Sequence, residues 1–348
     1  MTNAMTRHLL RSSTRPFLLA STLFAVGCAS DPSTAPPPPP TTTAEFLATI
    51  APDPIRAEID TRKGGVIQGR GTSFTIPPGA VFERGGSPAD LDTDGDGRPD
   101  SRQVNGIVTV ELRELLSPES MMAAGRPTVT SAGELLETGG AFDLKIRERD
   151  QEVQVMNLLD LRITPDRSPS SGDGMELWLY DARSDRFGWD RPRGGSIAAQ
   201  PVDRGFAVPI VPMSLINLGG CNIDQFPPPP PPHQVAPGGP VHVELAAGTP
   251  GAAAVFFFPE GLSSVIRLDR EGTRSGHAPT FVGPSTAMPG GLYGKLVVVS
   301  AAEGRYFFAQ RRVALDSPDV VSDASGRTFV VSPTEVTEDV LRAQLRSL

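Results

Sequence analysis

The chain has 348 residues, enough for two or three domains of ordinary size. Its formal net charge of −8 argues against a nucleic-acid partner and against electrostatic adhesion to anionic lipid, because both require a surplus of basic residues. The 36 glycines and 36 prolines, beside 2 tryptophans and 3 tyrosines, indicate a turn-rich chain with few aromatic side chains.

The N-terminus has the pattern of a secretory signal. Arg7, Arg11 and Arg15 form a positive region without acidic residues, and the apolar run 17–26 is too short to span a bilayer as a helix. The run ends in Ala25-Val26-Gly27-Cys28, which resembles the processing site of bacterial lipoproteins. The alternative is an ordinary cleaved signal followed by a chance cysteine.

The lipoprotein resemblance implies a location and an anchor. In that family the signal, here residues 1–27, is removed and the new N-terminal cysteine, here Cys28, is acylated. Attachment to the membrane would then come from the acyl chains on Cys28, since two or more chains anchor a protein stably. Ala29, and not aspartate, follows Cys28, which in that family implies sorting to the outer membrane of a Gram-negative bacterium. Acylation would also leave Cys221 without a disulfide partner.

Two proline-rich stretches divide the chain. Residues 28–53, with five consecutive prolines at 36–40, are predicted to form an extended tether that holds the folded part away from the bilayer. The stretch 226–240 contains a second run, at 227–232, which at about 3.1 Å per residue would make a rod of roughly 19 Å. It is either a linker between domains or a long surface loop.

Between and after these stretches, apolar and polar residues alternate with a period of two. Phe142, Leu144 and Ile146, for example, alternate with charged residues, which predicts a strand with one buried face. Glu303-Gly304 predicts a hairpin turn. We therefore predict an all-β chain of tandem antiparallel β-sandwich domains. Its parts are a first sandwich at 54–168, a β-rich segment at 172–225 and a second sandwich at 241–331.

Helical signals are scarce. Ser117-Pro118-Glu119-Ser120 can open a single helical turn between strands. A C-terminal helix is predicted over 332–348, with Ser332 as N-cap, Pro333 at the first position and Glu335 completing a capping box. Its apolar stripe needs a surface to pack on; the stripe consists of Val336, Val340, Leu341 and Leu345.

The first predicted sandwich resembles a ZU5-like module over about residues 62–165. The resemblance rests on Gly64-Gly65-Val66, Gly71-Thr72, the run 74–81, the strand at 108–115, the run 130–136 and Gly139-Gly140-Ala141-Phe142, in that order. The segments 177–189 and 217–224 are similar to the second half of uncharacterised bacterial surface lipoproteins. These resemblances imply a structural or interaction role and supply no catalytic residue.

An acidic loop at 90–101 is the most specific motif in the chain. Asp92, Asp94 and Asp96 occupy positions 1, 3 and 5 of a calcium loop, and Gly97 stands at position 6, where the chain must turn sharply. Arg98 would offer a backbone carbonyl at position 7 and Asp100 would follow at position 9. Asp90, two residues before position 1, is a possible further carboxylate.

The twelfth position of this loop is Gln103 in place of glutamate, so the motif is not a complete EF-hand. The loop resembles those of thrombospondin type 3 and dockerin repeats. We predict a structural Ca²⁺ ion bound by hard oxygen ligands. The alternative is a solvated acidic hairpin, neutralised by Arg98 and Arg102.

Motifs for catalysis are weak. Cys221 could act as a nucleophile only with a histidine base, and it is predicted to be a buried, structural free thiol. Trp178 and Trp189 could stack on a sugar, but they are predicted to belong to the core. The aromatic run 256–258 predicts a strand with core on one side and an interface on the other.

Two functions follow from these features. The first is a non-enzymatic, lipid-anchored protein of the cell envelope, stiffened by calcium, that presents β-sandwich surfaces to a protein or polysaccharide partner. The second is an envelope hydrolase that acts on peptide or glycan with carboxylates or Cys221 in a cleft. A buried Cys221 would favour the first function, and a cleft with two facing carboxylates would favour the second.

Overall fold

The computed structural model describes residues 40–83, 102–181, 188–192, 195–212, 218–227, 240–246, 249, 253–271, 279–283, 288, 291–315, 321–323 and 326–348. In these residues the helices are α1 (Thr43–Ile50), α2 (Pro118–Ala123) and α3 (Glu338–Arg346). The strands are β1 (Ile55–Asp60), β2 (Gly65–Gln68), β3 (Thr72–Ile76), β4 (Val81–Glu83), β5 (Ile107–Leu115), β6 (Glu137–Glu148), β7 (Gln151–Val155), β8 (Asn157–Ile163), β9 (Glu176–Asp181), β10 (Trp189–Asp190), β11 (Gln200–Val202), β12 (Gly205–Pro212), β13 (Leu218–Gln225), β14 (Val241–Leu245), β15 (Ala254–Pro259), β16 (Ile266–Glu271), β17 (Thr280–Gly283), β18 (Tyr293–Ala302), β19 (Arg305–Ala314), β20 (Val321–Asp323), β21 (Gly326–Val331) and β22 (Thr334–Val336).

Two sheets form the first sandwich. One runs in the order β1-β5-β6-β13-β9-β10, with β4 and β7 at its side, and the other in the order β11-β12-β8-β3-β2. Their facing sides enclose one hydrophobic core, which includes Phe74, Val110, Phe142 and Leu161. Strands β9 to β13 come from the segment 172–225, so this segment completes the sheets begun by 54–168.

A third sheet forms the second sandwich-like body. Its strand order is β20-β21-β14-β17-β16-β15-β18-β19-β22, and every described pair in it is antiparallel except β14 with β21. The sheet encloses a second core, which includes Val243, Phe257, Val298 and Phe329. The prediction of an all-β fold with tandem antiparallel sandwiches and one C-terminal helix is therefore confirmed.

A third core joins the two bodies. It combines Trp178 and Tyr180 from the outer face of the first sandwich with Phe256 and Phe258 from β15, and all three helices contribute to it. Strand β15 is thus buried on both faces, because Phe257 points into the second core. Burial of apolar side chains on both sides of this strand stabilises the junction.

The predicted alternation of buried and polar residues holds along most strands, and it shifts at one point in β8. Phe142, Leu144 and Ile146 are all buried, as predicted. In β8, however, Leu158 and Leu161 are buried while Leu159 is half-buried. Asp160 has a φ of 51°, and the pairing of β3 with β8 is interrupted there by a bulge. An extra residue in a bulge moves the following side chains to the opposite face.

The predicted tether is too long at its C-terminal end. Residues 43–50 of the stretch 28–53 form α1, and the side chain of Phe46 is fully buried in the junction core. The Thr42 side chain accepts a hydrogen bond from the Glu45 backbone N–H, and the Glu45 carboxylate accepts one from the Thr42 N–H. This reciprocal capping box offsets the cost of starting a short helix.

The C-terminal helix also begins later than predicted. Thr334–Val336, which we assigned to its first turn, form the edge strand β22 and pair with β19. Thr337, and not Ser332, is the N-cap, and it accepts a hydrogen bond from the Val340 N–H. Leu341 and Leu345 are buried against β19 as the predicted stripe requires, whereas Val340 is exposed.

Candidate functional site

Most of the residues predicted to carry function lie outside the described part of the chain. These are the acylation site Cys28 and the calcium-loop residues Asp90, Asp92, Asp94, Asp96, Arg98 and Asp100. The base of this acidic loop is described. Glu83 donates its backbone N–H to the Arg102 carbonyl at 2.9 Å, and Val104 donates to the Val81 carbonyl at 2.9 Å. The two ends of the loop are therefore held side by side.

Arg102 at this base is already occupied by acidic partners. Its guanidinium forms an ion pair with Glu83 and lies 3.6 Å from the carboxylate of Glu148. The pKa of the Glu83 carboxyl is lowered by its hydrogen bond with Arg102. Arg102 is thus engaged at the stem by two carboxylates outside the acidic loop.

Cys221 lies in the middle of β13 and is fully buried in the core of the first sandwich. Burial raises the pKa of its thiol, and the nearby charge of Asp143 raises it further. A thiolate is the nucleophilic form of cysteine, so these surroundings suppress its reactivity. The described histidine, His242, lies on β14 in the other sandwich, 3.5 Å from the Glu271 carboxylate.

The two tryptophans also belong to the core. Trp178 and Trp189 are buried, and each indole N–H donates a hydrogen bond to a backbone carbonyl. Trp178 donates to Asp224 at 3.2 Å, and Trp189 donates to Pro127 at 2.8 Å. Their rings therefore do not form an exposed platform for a sugar, and their predicted role in the core is confirmed.

A buried carboxylate links the two sandwiches by hydrogen bonds at their junction. Glu137, on β6, is fully buried and accepts hydrogen bonds from the backbone N–H of Ser170 at 2.7 Å and of Ser263 at 3.3 Å. It also accepts one from Gln225 Nε2 at 3.1 Å. Ser263 lies before β16 in the second body, so this one side chain connects both sandwiches. Its bonding fully occupies a group that could otherwise serve in acid–base chemistry.

A second buried acid lies close to Glu137. Asp224, on β13, is fully buried, and its Oδ1 atom has no hydrogen-bond partner among the described residues. Asn222 donates to its other oxygen. Burial raises the pKa of the Asp224 carboxyl well above its usual range, and the charge of Glu137 adds to the shift. Both carboxyl groups are enclosed and out of reach of a substrate, so their geometry suits a structural role.

An open cleft of about 370 Å³ lies between the sandwiches. We call it the inter-sandwich cleft and define it by the residues that line it: Thr42, Thr43, Ala44, Leu47, Ala48 and Ala51 in and beside α1, Met122 to Gly125, Ala253, Ala254 and Phe256 in and beside β15, Arg113 of β5 and Arg267 of β16. Its volume lies in the lower part of the range of small-molecule sites, roughly 300–1,000 Å³, which often occur at domain interfaces.

Arg113 is the unusual side chain in this cleft. Its Nε atom is buried and has no hydrogen-bond partner among the described residues. Asp143, its neighbour on the paired strand β6, is held instead by Arg126, with 3.0 Å between Nε and Oδ1. The Arg126 guanidinium lies 3.9 Å from the centre of the Tyr180 ring. Both charged side chains among the described residues that line the cleft, Arg113 and Arg267, are positive.

A second hollow of about 440 Å³ adjoins the cleft at Arg267, which lines both. It lies between the loop 127–133 and strands β16 and β17, and Asp269 also lines it. Its charges are therefore mixed, in contrast to those of the inter-sandwich cleft.

Comparisons of the chain with protein-family models, curated proteins and solved structures find no match. Within the described ranges, the helices are all too short or too polar to cross a membrane. In the same ranges no cluster of three or more His, Cys, Asp or Glu side chains could hold a metal ion.

The inter-sandwich cleft was not predicted from the sequence. Arg113 alternates with Val110 and Leu112 on β5, a pattern that places it on the polar, outward face of a strand. That face is covered near Arg113 by α1 and by the second sandwich. The one available signal was the capping box at Thr42 and Glu45, which predicts the helix that forms one wall.

Proposed function

We propose that this protein is a non-enzymatic, lipid-anchored component of the cell envelope whose β-sandwich body binds a partner. The anchor is the acylated Cys28, and the location is the outer membrane of a Gram-negative bacterium. The proline-rich segment after Cys28 separates the body from the bilayer. The partner is a protein or a polysaccharide, and the acidic net charge disfavours nucleic acid.

The burial of Cys221 is the observation that carries the non-enzymatic part of this proposal. A hydrolase that used this thiol would need it exposed beside a base, and it lies in a sealed core. The buried acids Glu137 and Asp224 do not support the alternative hydrolase either, because both are enclosed at the junction of the sandwiches. The open inter-sandwich cleft suits binding.

The state of Cys221 gives a direct test. In the folded chain we expect Cys221 to resist iodoacetamide, and in denaturant to react fully, as measured by mass spectrometry. We also expect casein and peptidoglycan to remain intact in the presence of the protein. Hydrolysis of either substrate by the wild-type chain that is lost in Cys221→Ala or Glu137→Gln would establish the hydrolase alternative instead.

We further propose that the acidic loop binds a structural Ca²⁺ ion. Asp92, Asp94, Asp96 and Asp100 would supply side-chain oxygens, the Arg98 carbonyl would supply another, and Asp90 would stand beside them. Two described features support this. The stem Val81–Glu83 holds the ends of the loop together, and Arg102, one of the two cations that could neutralise the loop, is engaged by Glu83 and Glu148.

A further inference from the structure

The inter-sandwich cleft combines apolar walls with an arginine, Arg113, whose Nε atom has no hydrogen-bond partner among the described residues. From this combination we infer that the cleft binds a small organic carboxylate, with the carboxylate on Arg113 and an apolar body against Ala44 and Ala48. The inference deepens the proposed binding role by naming a ligand class for one site on the body. It does not depend on the anchor or on calcium.

The charge requirement comes from Arg113. The Arg113 side chain lines the open cleft, and its buried Nε atom has no hydrogen-bond partner among the described residues, which is rare for a buried donor. A ligand would contact the part of the guanidinium that faces the cleft and not the enclosed Nε atom. The carboxylate that could have paired with Arg113, that of Asp143, is hydrogen-bonded by Arg126. The ring of Tyr180 beneath Arg126 favours this arrangement. A planar guanidinium matches a carboxylate in geometry and charge.

The apolar requirement comes from the remaining walls. Helix α1 contributes Ala44, Ala48 and, one turn later, Ala51, whose short side chains leave the cleft open. Met122 and Phe256 lie behind the cleft with little surface of their own, at 1% and 3% exposure, and belong to the junction core, so packing fixes the floor that supports the alanines. A space of about 370 Å³ accommodates a single small molecule. An aromatic or short aliphatic acid therefore fits better than an inorganic anion or a long lipid chain.

Calorimetric titration of the whole chain with benzoate tests this inference. Benzamide, which has the same ring without the charge, is the matched ligand. Because a hydrogen bond to a charged group is strong, we expect benzoate to bind at least about 10-fold more tightly than benzamide. Inorganic phosphate at equal ionic strength should not displace it. Equal displacement by phosphate would contradict the apolar part of the inference.

Two variants locate the site, and a third is the control. Arg113→Gln should weaken benzoate binding by about 10-fold or more. Ala48→Phe should abolish binding by filling the cleft from an exposed position of α1. Arg56→Gln removes an exposed arginine that pairs with Glu111 outside the cleft, and should bind benzoate like the wild type.

The inference is wrong if no binding of benzoate is measured at about 10 mM, a ligand concentration high enough to detect even a weak specific site. It is also wrong if Ala48→Phe binds benzoate like the wild type. The second variant decides the matter if Arg113→Gln fails to fold. A failure here leaves acylation of Cys28 and the burial of Cys221 unaffected, so it is distinguishable from a failure of the proposed function.

Discussion

Single buried polar residues hold distant parts of this chain together. Glu114 is an example, because its carboxylate accepts the backbone N–H groups of Arg70, Gly71 and Thr72 at 2.7–2.9 Å. A side chain at Gly71 would collide with Leu116 and with the carbonyl of Thr164, both at 2.6 Å from its Cβ. Close packing around this loop therefore requires the glycine of the Gly71-Thr72 pair.

Asp224 gives a pH prediction. Its pKa in the folded chain lies well above the ordinary value of 3.8, because burial disfavours the charged form. The folded state thus keeps a proton that the unfolded state releases. This contribution to stability is complete below pH 3.8 and is lost as the pH rises toward the folded pKa, by up to about 1.4 kcal/mol per pH unit.

Asp224→Asn removes this titration. We expect the melting temperature of the variant, relative to that of the wild type at the same pH, to increase as the pH is raised from about 4.5 to 8. Asp53→Asn, which removes a carboxylate at an exposed position, is the matched control for the loss of one charge. A difference for Asp224→Asn that does not change with pH would mean that Asp224 does not titrate differently in the folded chain.

At the scale of elements, the sequence predicts strands well because their signals are local. The hairpin turn Glu303-Gly304 is confirmed: both residues have positive φ, at 51° and 75°, between the paired strands β18 and β19. The irregularity at Asp160 could not be predicted in this way, because a bulge depends on the partner strand. A pattern of period two specifies which residues share a face only while the pairing is regular.

Helix α1 was not predicted from the sequence, because the proline-rich composition of residues 28–53 indicated an extended tether and the capping box at Thr42 and Glu45 was not recognised as a helix start. The five prolines at 36–40 indicate an extended segment, and the capping box directly after them was included in that segment. The helix is fixed by contacts that no local pattern reveals. Thr43 Oγ1 accepts a hydrogen bond from the Ala301 N–H at 2.8 Å, and Arg342 of α3 donates to Thr49 Oγ1 at 2.8 Å.

The acidic loop and its stem give a prediction at this scale. Carboxylates crowded into one loop repel each other, so Ca²⁺ should stabilise the loop and the strands at its base. At ten times the dissociation constant the gain is about 1.4 kcal/mol, which should raise the melting temperature by roughly 3–6 °C. Asp94→Ala combined with Asp96→Ala should abolish this rise, whereas Asp53→Ala should preserve it.

A calorimetric titration with Ca²⁺ can contradict the prediction of a calcium site in this loop. Extracellular calcium modules bind at roughly 10⁻⁴ to 10⁻³ M. If no heat of binding is measured at about 10 mM Ca²⁺, ten times the weak end of that range, the loop is an acidic turn and not a calcium site.

At the scale of the whole molecule, the shared core is the feature that the sequence did not reveal. Residues 39–348 form one compact unit, although they contain two sandwich-like bodies. Phe256 and Phe258 point into the junction, and Phe257 points into the core of the second sandwich. The aromatic run 256–258 therefore has core on one side and an interface on the other, as predicted. Which surface meets that interface depends on packing between segments far apart in the chain, and the inter-sandwich cleft results from the same packing.

The proposed acyl anchor on Cys28 would decide whether this body acts at a membrane. Metabolic labelling with an alkynyl palmitate analogue, in a Gram-negative host, tests it directly. We expect the wild-type chain to carry the label and to leave the membrane fraction only with detergent. Cys28→Ser should be unlabelled and unprocessed, whereas Cys221→Ser should be labelled like the wild type, because the chain contains only these two cysteines. An unlabelled wild-type chain, or label that persists in Cys28→Ser, would contradict the account.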